Sequence, residues 1–215
     1  MHSMHTPACP LCESASTLCY SGRQGTYFRC SGCRSAFLDP ALRLSRSEEK
    51  ARYDLHNNDV ADPRYRAFGQ PMADMVMAWF TPSHRGLDFG AGSGPVISRI
   101  LEEHGFQTAL YDPFYHDNPD VLKQEYDYII CCEVIEHFHD PKQTFMILRK
   151  LLGSGGKLFC RTSLLHDDVD FPLWYYKNDE THVFFYHPEA CTWIADRLGF
   201  SGVRICGHTY VIFSG

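Results

Sequence analysis

The stretch LDFGAGSGP, residues 87–95, sets glycines at 90, 92 and 94 directly behind a short apolar run. Such a run, giving way to small residues and then to an amphipathic segment, reads as strand, tight turn and helix. Without a Cβ, the backbone there can turn sharply or lie against a ligand that no side chain would leave room for. The same alternation continues downstream. PVISRILEEHGF is an amphipathic helix ended by Gly105, QTALYD a second strand, and YDYIICCEV a third, apolar throughout as the middle of a parallel sheet requires. PKQTFMILRKLLGSGG is a helix with Pro141 near its first turn, GKLFCRTSL a fourth strand and PEACTWIADRLGF a further helix. VRICGHTYVIF closes the chain as a hairpin around Gly207 and His208. Strands alternating with helices predict an α/β fold over residues 83–215, a layered sheet with helices on both faces.

The N-terminal forty residues follow another logic. Cys9 and Cys12 form one CxxC pair, Cys30 and Cys33 a second, and seventeen residues separate them. Each pair makes a knuckle with both thiolates on one side, and two knuckles complete a tetrahedral zinc site. Residues 1–40 are therefore expected to be a zinc ribbon. A unit this small often needs its metal to fold, and four thiolates close the coordination shell, so the role expected is structural. Loss of Cys12 should loosen this unit and leave the α/β body folded. Residues 41–82 form a helical connector or lid. SRSEEKARY starts a helix capped by Ser45 or Ser47, and YRAFGQPMADMVMAWF carries an apolar stripe of Met72, Met75, Val76, Trp79 and Phe80 that points to core.

Composition narrows the function classes. Hydrophobic residues make up 44% and charged residues 21%, ordinary for a soluble domain, and no apolar run approaches the ~20 residues of a membrane span. The N-terminus lacks a secretory pattern, and the remaining cysteines sit mostly in apolar stretches, so a reduced, cytoplasmic protein is expected. Net charge is −6, with +3 on residues 1–52 and −9 on the rest. An acidic body weighs against nucleic acid as substrate.

In an open α/β sheet, ligands bind beyond the carboxyl ends of the strands. The glycine turn lies at that edge, and Asp112 ends the second strand twenty residues after Gly92, where a carboxylate can take both hydroxyls of a ribose. GxGxG replaces the GxGxxG of dinucleotide enzymes, which disfavours an NAD-linked oxidoreductase. On LDFGAGSG, LYDP, DYIICCEVIEHF, GGKLFCRTS and HVFFYHPE, the chain resembles the small-molecule branch of class I S-adenosylmethionine-dependent methyltransferases over residues 85–213. Zinc ribbons of this pattern are seen in front of such domains. The resemblance implies the Rossmann-like class I methyltransferase sheet. It implies that Asp88, Gly90, Ala91 and Gly92 cradle the methionine part and ribose of S-adenosylmethionine, and that Asp112 binds the ribose diol. Pro113 and Phe114 would lie near the adenine, and Cys132 and Glu133 would border cofactor and acceptor. One departure stands out. Only fourteen residues separate Asp112 from Asp127, too few for the usual helix, strand and helix. Either DVLKQ is a shortened third strand or that edge of the sheet is pared away.

Methyl transfer from a sulfonium needs an aligned acceptor and, for a high-pKa acceptor, a base. EVIEHF offers Glu133, Glu136 and His137 just past the central strand. If the segment is helical, His137 sits one turn from Glu133, which would orient its ring. His182 in THVFFYHP is the second candidate base. Trp174, Tyr175 and Tyr176 would wall an acceptor pocket or pack a lid, and His56 is a further polar candidate near the site. The leading expectation is an enzyme methylating a small-molecule acceptor at oxygen, nitrogen or carbon. Two alternatives are an RNA methyltransferase using the zinc ribbon to hold RNA, and a non-catalytic cofactor-binding scaffold. The absence of an NPPY-type tetrapeptide after the central strand disfavours exocyclic base nitrogens as acceptors.

Overall fold

The computed structural model describes residues 6–55 and 58–215. His56 lies outside the described residues. Three short antiparallel strands come first: β1 (Ser16–Gly22), β2 (Gly25–Cys30) and β3 (Ala36–Leu38). Two connector helices follow, α1 (Arg46–Tyr53) and α2 (Pro63–Trp79). A full capping box starts α1: Ser45 Oγ accepts from the Glu48 amide, and the Glu48 carboxylate accepts from the Ser45 amide at 2.8 Å. Of the apolar stripe on α2, Met72 and Val76 are buried. Trp79 is instead 51% exposed, with Lys157 Nζ 4.1 Å from its ring centroid.

The body runs β4 (Arg85–Phe89), α3 (Val96–Glu103), β5 (Gln107–Tyr111), β6 (Tyr126–Cys132), α4 (Pro141–Leu151) and β7 (Leu152–Arg161). It ends with β8 (Phe184–Phe185), α5 (Pro188–Leu198), β9 (Gly202–Cys206) and β10 (Tyr210–Ser214). Six strands make the main sheet in the order β5-β4-β6-β7-β10-β9, parallel up to β7 and antiparallel at β10 and β9. The apolar run of β6 explains the layering. Tyr128 and Ile130 point into one core with Met72, Val76, Ile97 and Ile100 of α2 and α3. Ile129 and Cys131 point into the opposite core with Phe145 and Leu148 of α4 and Ile194 of α5. Period-two alternation thus feeds both faces, each fully buried side chain contributing about 1.5–3 kcal/mol.

Residues 119–123 form a 3-10 turn, so DVLKQ is not a strand and β5 is the outer strand on that side. The other feature that spacing did not reveal is how the N-terminal unit joins the body. β3 pairs with β8, Ala36 opposite Phe185 and Phe37 opposite Phe184, so the ribbon sheet takes its fourth strand from the body. Leu11, Phe28 and Phe37 lie in the same buried cluster as Phe145, Ile194 and Phe213. The boundary near residue 40 does not separate two cores. No helix among the described residues is long and apolar enough to cross a membrane.

Candidate functional site

The strand order reverses around β4, with β5 on one side and β6 on the other, and the chain opens a crevice beyond their carboxyl ends. β4 hands over to α3 through a backbone with φ of +82° at Gly90 and +62° at Gly92. The amides of Gly90 and Ala91 donate to the Tyr111 carbonyl at 2.8 and 3.1 Å, which ties this turn to the end of β5. A Cβ on Gly90 would strike Val134 Cγ2 at 2.5 Å, whereas one on Gly92 would come no nearer than 3.8 Å to any neighbour, Asn58 Nδ2. The space beside Gly92 is a cavity of about 910 Å³ lined by Gly90, Ala91, Gly92, Asp112, Pro113, Phe114, Cys132, Glu133, His137 and His182.

Asp112 is 7% exposed and organises the loop around it. One carboxylate oxygen accepts from the Gly92 amide at 3.0 Å, the other from the Phe114 and Tyr115 amides at 2.8 and 3.1 Å. Asp88 is the exception among the glycine-turn residues. It does not line the cavity, and its carboxylate lies beneath the turn, accepting from Ser98 Oγ at 2.7 Å. Burial raises its pKa to about 6 against the opposing pull of that hydrogen bond.

Helix α1 covers one side of the cavity through Arg46, Glu49 and Tyr53, residues whose part in the site the sequence did not disclose. Arg46 donates to the Pro113 carbonyl at 2.8 Å, and the Tyr53 ring sits 5.5 Å from that of His137. Asn58 Nδ2 donates to Ser93 Oγ at 3.2 Å, and Tyr65 OH donates to the Gly94 carbonyl at 3.0 Å. The signal in the sequence for this roof was the candidate cap, Ser45 or Ser47, that marks where α1 begins.

At the end of β6, Glu133 has φ of +52°, a left-handed conformation uncommon outside glycine and a mark of functional sites. Its amide still pairs with the Arg161 carbonyl at 2.9 Å. The kink turns the chain into a single 3-10 turn over Ile135–His137, so the helical relation expected between Glu133 and His137 does not form. His137 Nδ1 instead donates to the Thr181 carbonyl at 2.9 Å. His182 Nδ1 donates to the Tyr176 carbonyl at 2.7 Å, and the two imidazole centroids are 4.7 Å apart. Burial lowers the His182 pKa to about 4, so its ring is neutral.

Beside these rings lie two carboxylates, Glu136 fully buried and Glu133 half-buried, with 31% of its side chain exposed. Tyr176 OH bridges them, 2.9 Å from Glu133 Oε2 and also hydrogen-bonded to Glu136 Oε1. Burial raises the pKa of both carboxyls, each against the hydrogen bond from Tyr176, and the Glu136 charge raises Glu133 further. Arg161 Nε stands 3.3 Å from Glu133. Cys132, half-buried at the end of the strand, has its thiol pushed well up by desolvation and stays protonated. Of the aromatic trio expected to wall an acceptor pocket or pack a lid, none lines the cavity. Tyr176 acts behind the wall through the two carboxylates, Trp174 packs on Phe171 and Phe185, and Tyr175 is 69% exposed.

The four N-terminal cysteines converge as their spacing required. Their sulfur atoms all lie within 4.8 Å of one another, with Cys9–Cys33 at 3.7 Å and Cys12–Cys30 at 3.3 Å. The amides of Gly32 and Cys33 point at Cys30 Sγ at 3.3 and 3.4 Å, completing the knuckle.

A glycine turn and an acid at the tips of adjacent parallel strands, facing one cavity, define the ligand edge of an open α/β sheet. A family model described as a methyltransferase domain matches residues 56–205, and the chain belongs to that family. Over 77 residues it is 30% identical to the ubiquinone biosynthesis O-methyltransferase of Klebsiella pneumoniae (strain 342), covering 36% of this chain and 32% of that protein. It thus spans about a third of the length of the curated relatives it matches. Among solved structures it is similar to a SAM dependent methyltransferase from Archaeoglobus fulgidus, with TM-score 0.55 and 16% identity, covering 70% of this chain and 94% of that one. It is also similar to PigF, solved with SAH, with TM-score 0.52 and 17% identity over 80% and 62% of the two chains. These two likenesses show the fold.

Proposed function

We propose that this protein transfers the methyl group of S-adenosylmethionine to a hydroxyl oxygen of a small-molecule acceptor. One observation carries the reading: the glycine turn and Asp112 at one end, and the His137–His182 pair at the other, line a single cavity. The residues present fit the cofactor, since the space beside Gly92 is open where a Cβ would otherwise point. Gly90, Ala91, Gly92, Asp112, Pro113, Phe114, Cys132 and Glu133 would hold it, with Asp88 supporting the turn from beneath. When bound, S-adenosylmethionine supplies a sulfonium methyl that leaves its C–S electron pair on sulfur. The chain's own task is to align the acceptor, exclude water and draw off the hydroxyl proton on the side of His137 and His182. PigF solved with SAH, and the O-methyltransferase relatives, support the choice of cofactor and of oxygen.

The four cysteines would hold a structural zinc. Zn–S bonds of about 2.3 Å in a tetrahedron put sulfurs roughly 3.8 Å apart, close to the spacings here. The N-terminal unit's sheet pairing with the body gives that zinc a bearing on the acceptor side, since β8 begins two residues after His182.

Incubation with methyl-labelled S-adenosylmethionine and fractionated cell extract tests the reading. Label should enter the small-molecule fraction. Label in RNA, or none in any fraction despite cofactor binding, would overturn the acceptor class.

A further inference from the structure

Beyond the cofactor end of the cavity, three side chains have the geometry of a second metal site. Glu136 Oε, His137 N and His182 N offer ligand atoms that all lie within 4.8 Å of one another. The imidazoles are set as metal-binding histidines are. Each directs Nδ1 to a backbone carbonyl, Thr181 for His137 and Tyr176 for His182, and a carbonyl only accepts. Each therefore carries a proton on Nδ1, which leaves Nε2 as the atom that would ligate, the arrangement that an outer-shell carbonyl fixes for a ligating ring. His182 Nε2 stands 3.9 Å from Glu136 Oε1, too far for a hydrogen bond and near the spacing of two ligands on one ion.

The second, independent observation is Glu136 itself. It is fully buried, and while Oε1 accepts from Tyr176, Oε2 has no hydrogen-bond partner among the described residues. A buried carboxylate oxygen left without a donor is costly, and native structures seldom keep one without an ion or a water to meet it. The backbone holds this arrangement in place: the Glu136 carbonyl accepts from the Val183 amide at 2.9 Å, next to His182.

We infer that Glu136, His137 and His182 form a binding site for one divalent transition-metal cation at the acceptor end of the cavity, separate from the four-cysteine site. Two imidazoles and a carboxylate suit manganese, iron, cobalt or zinc, whereas magnesium and calcium prefer all-oxygen shells. Ligand bonds of about 2.0–2.2 Å would draw the three side chains slightly together. With three protein ligands, the ion keeps positions open to the cavity for an acceptor hydroxyl. Coordination there would acidify the hydroxyl, whose proton would leave to solvent at the open side of the cavity before the cofactor closes on it, and the oxygen lone pair would form the O–C bond as the C–S bond breaks. The imidazoles then serve as ligands, and the ion does the work of a base. This consequence rests on the methyl-transfer reading; the site itself does not.

The test is Mn2+ binding to the full-length protein with its cysteine site loaded, without cofactor or acceptor, followed by electron paramagnetic resonance. One Mn2+ per chain should bind, and pulsed spectra should show directly coordinated nitrogen from two imidazoles. His182→Gln and Glu136→Gln should each weaken binding by more than the roughly 10–100-fold that loss of an outer-shell partner costs. A folded wild-type protein that takes up no Mn2+, or whose bound Mn2+ shows no imidazole nitrogen, overturns the site. So does binding unchanged in both variants. S-adenosylmethionine affinity, measured on the same samples, reports the methyl-transfer reading separately.

Discussion

The amide of Leu38, at the end of the cysteine ribbon, donates to the carbonyl of Val183 at 2.9 Å, and Val183 in turn donates to Glu136. Two hydrogen bonds thus link the N-terminal unit to the turn that carries His137. Removing one cysteine should therefore be felt at the acceptor site. Cys12→Ser is expected to release metal and to lower methyl transfer by about tenfold or more, since small misplacements of reacting groups are costly. Metal content and turnover measured on the same protein check this. Loss of the metal with full turnover would show that the ribbon and the site are independent.

Tyr176 presents one proton to two carboxyl groups, half-buried Glu133 and fully buried Glu136, so its hydroxyl is not replaceable by a hydrogen. Tyr176→Phe should cost about 1–3 kcal/mol of stability, the range for leaving a buried polar group without its partner. Urea denaturation at neutral pH reads the cost directly, and an unchanged midpoint would contradict the bridging role.

Asp88 makes a pH-dependent contribution whose sign is fixed by burial. Its folded pKa of about 6 exceeds the ordinary value of 3.8, so between these values the folded state binds more protons than the unfolded state. Stability from this group falls as pH rises from about 4 to about 6, and the full cost, on the order of 3 kcal/mol, is present above that window. Asp88→Asn keeps an acceptor for Ser98 and removes the charge. It should be more stable than wild type at pH 7 and should lose that advantage near pH 4. An advantage of equal size at both pH values would show that the charge is not its source.

Much of this architecture was legible because it rests on local pattern. The β4 turn declared itself through glycines, β6 through an unbroken apolar run, α1 through its candidate caps Ser45 and Ser47, and the cysteine site through spacing. What stayed hidden depends on long-range pairing or on one unusual torsion. No periodicity announces that Phe184 and Phe185 will complete a sheet begun at residue 16. The left-handed backbone at Glu133 broke the helical relation that spacing suggested, and His137 found Thr181, forty-four residues away in sequence, instead. Tyr176 lies behind the cavity wall because its hydroxyl is drawn to the two carboxyl groups, a demand invisible in FPLWYYKND.

The most direct measurement is calorimetric titration of the folded protein with S-adenosylmethionine. Wild type should bind one molecule per chain. Gly92→Val should show no binding, because the side chain occupies the space beside the turn and its β-branch strains a backbone with φ of +62°. Asp112→Ala should bind more weakly by about 1.5–3 kcal/mol. Folded wild-type protein that binds no S-adenosylmethionine, or a Gly92→Val variant with wild-type affinity, would contradict the assignment of this cavity.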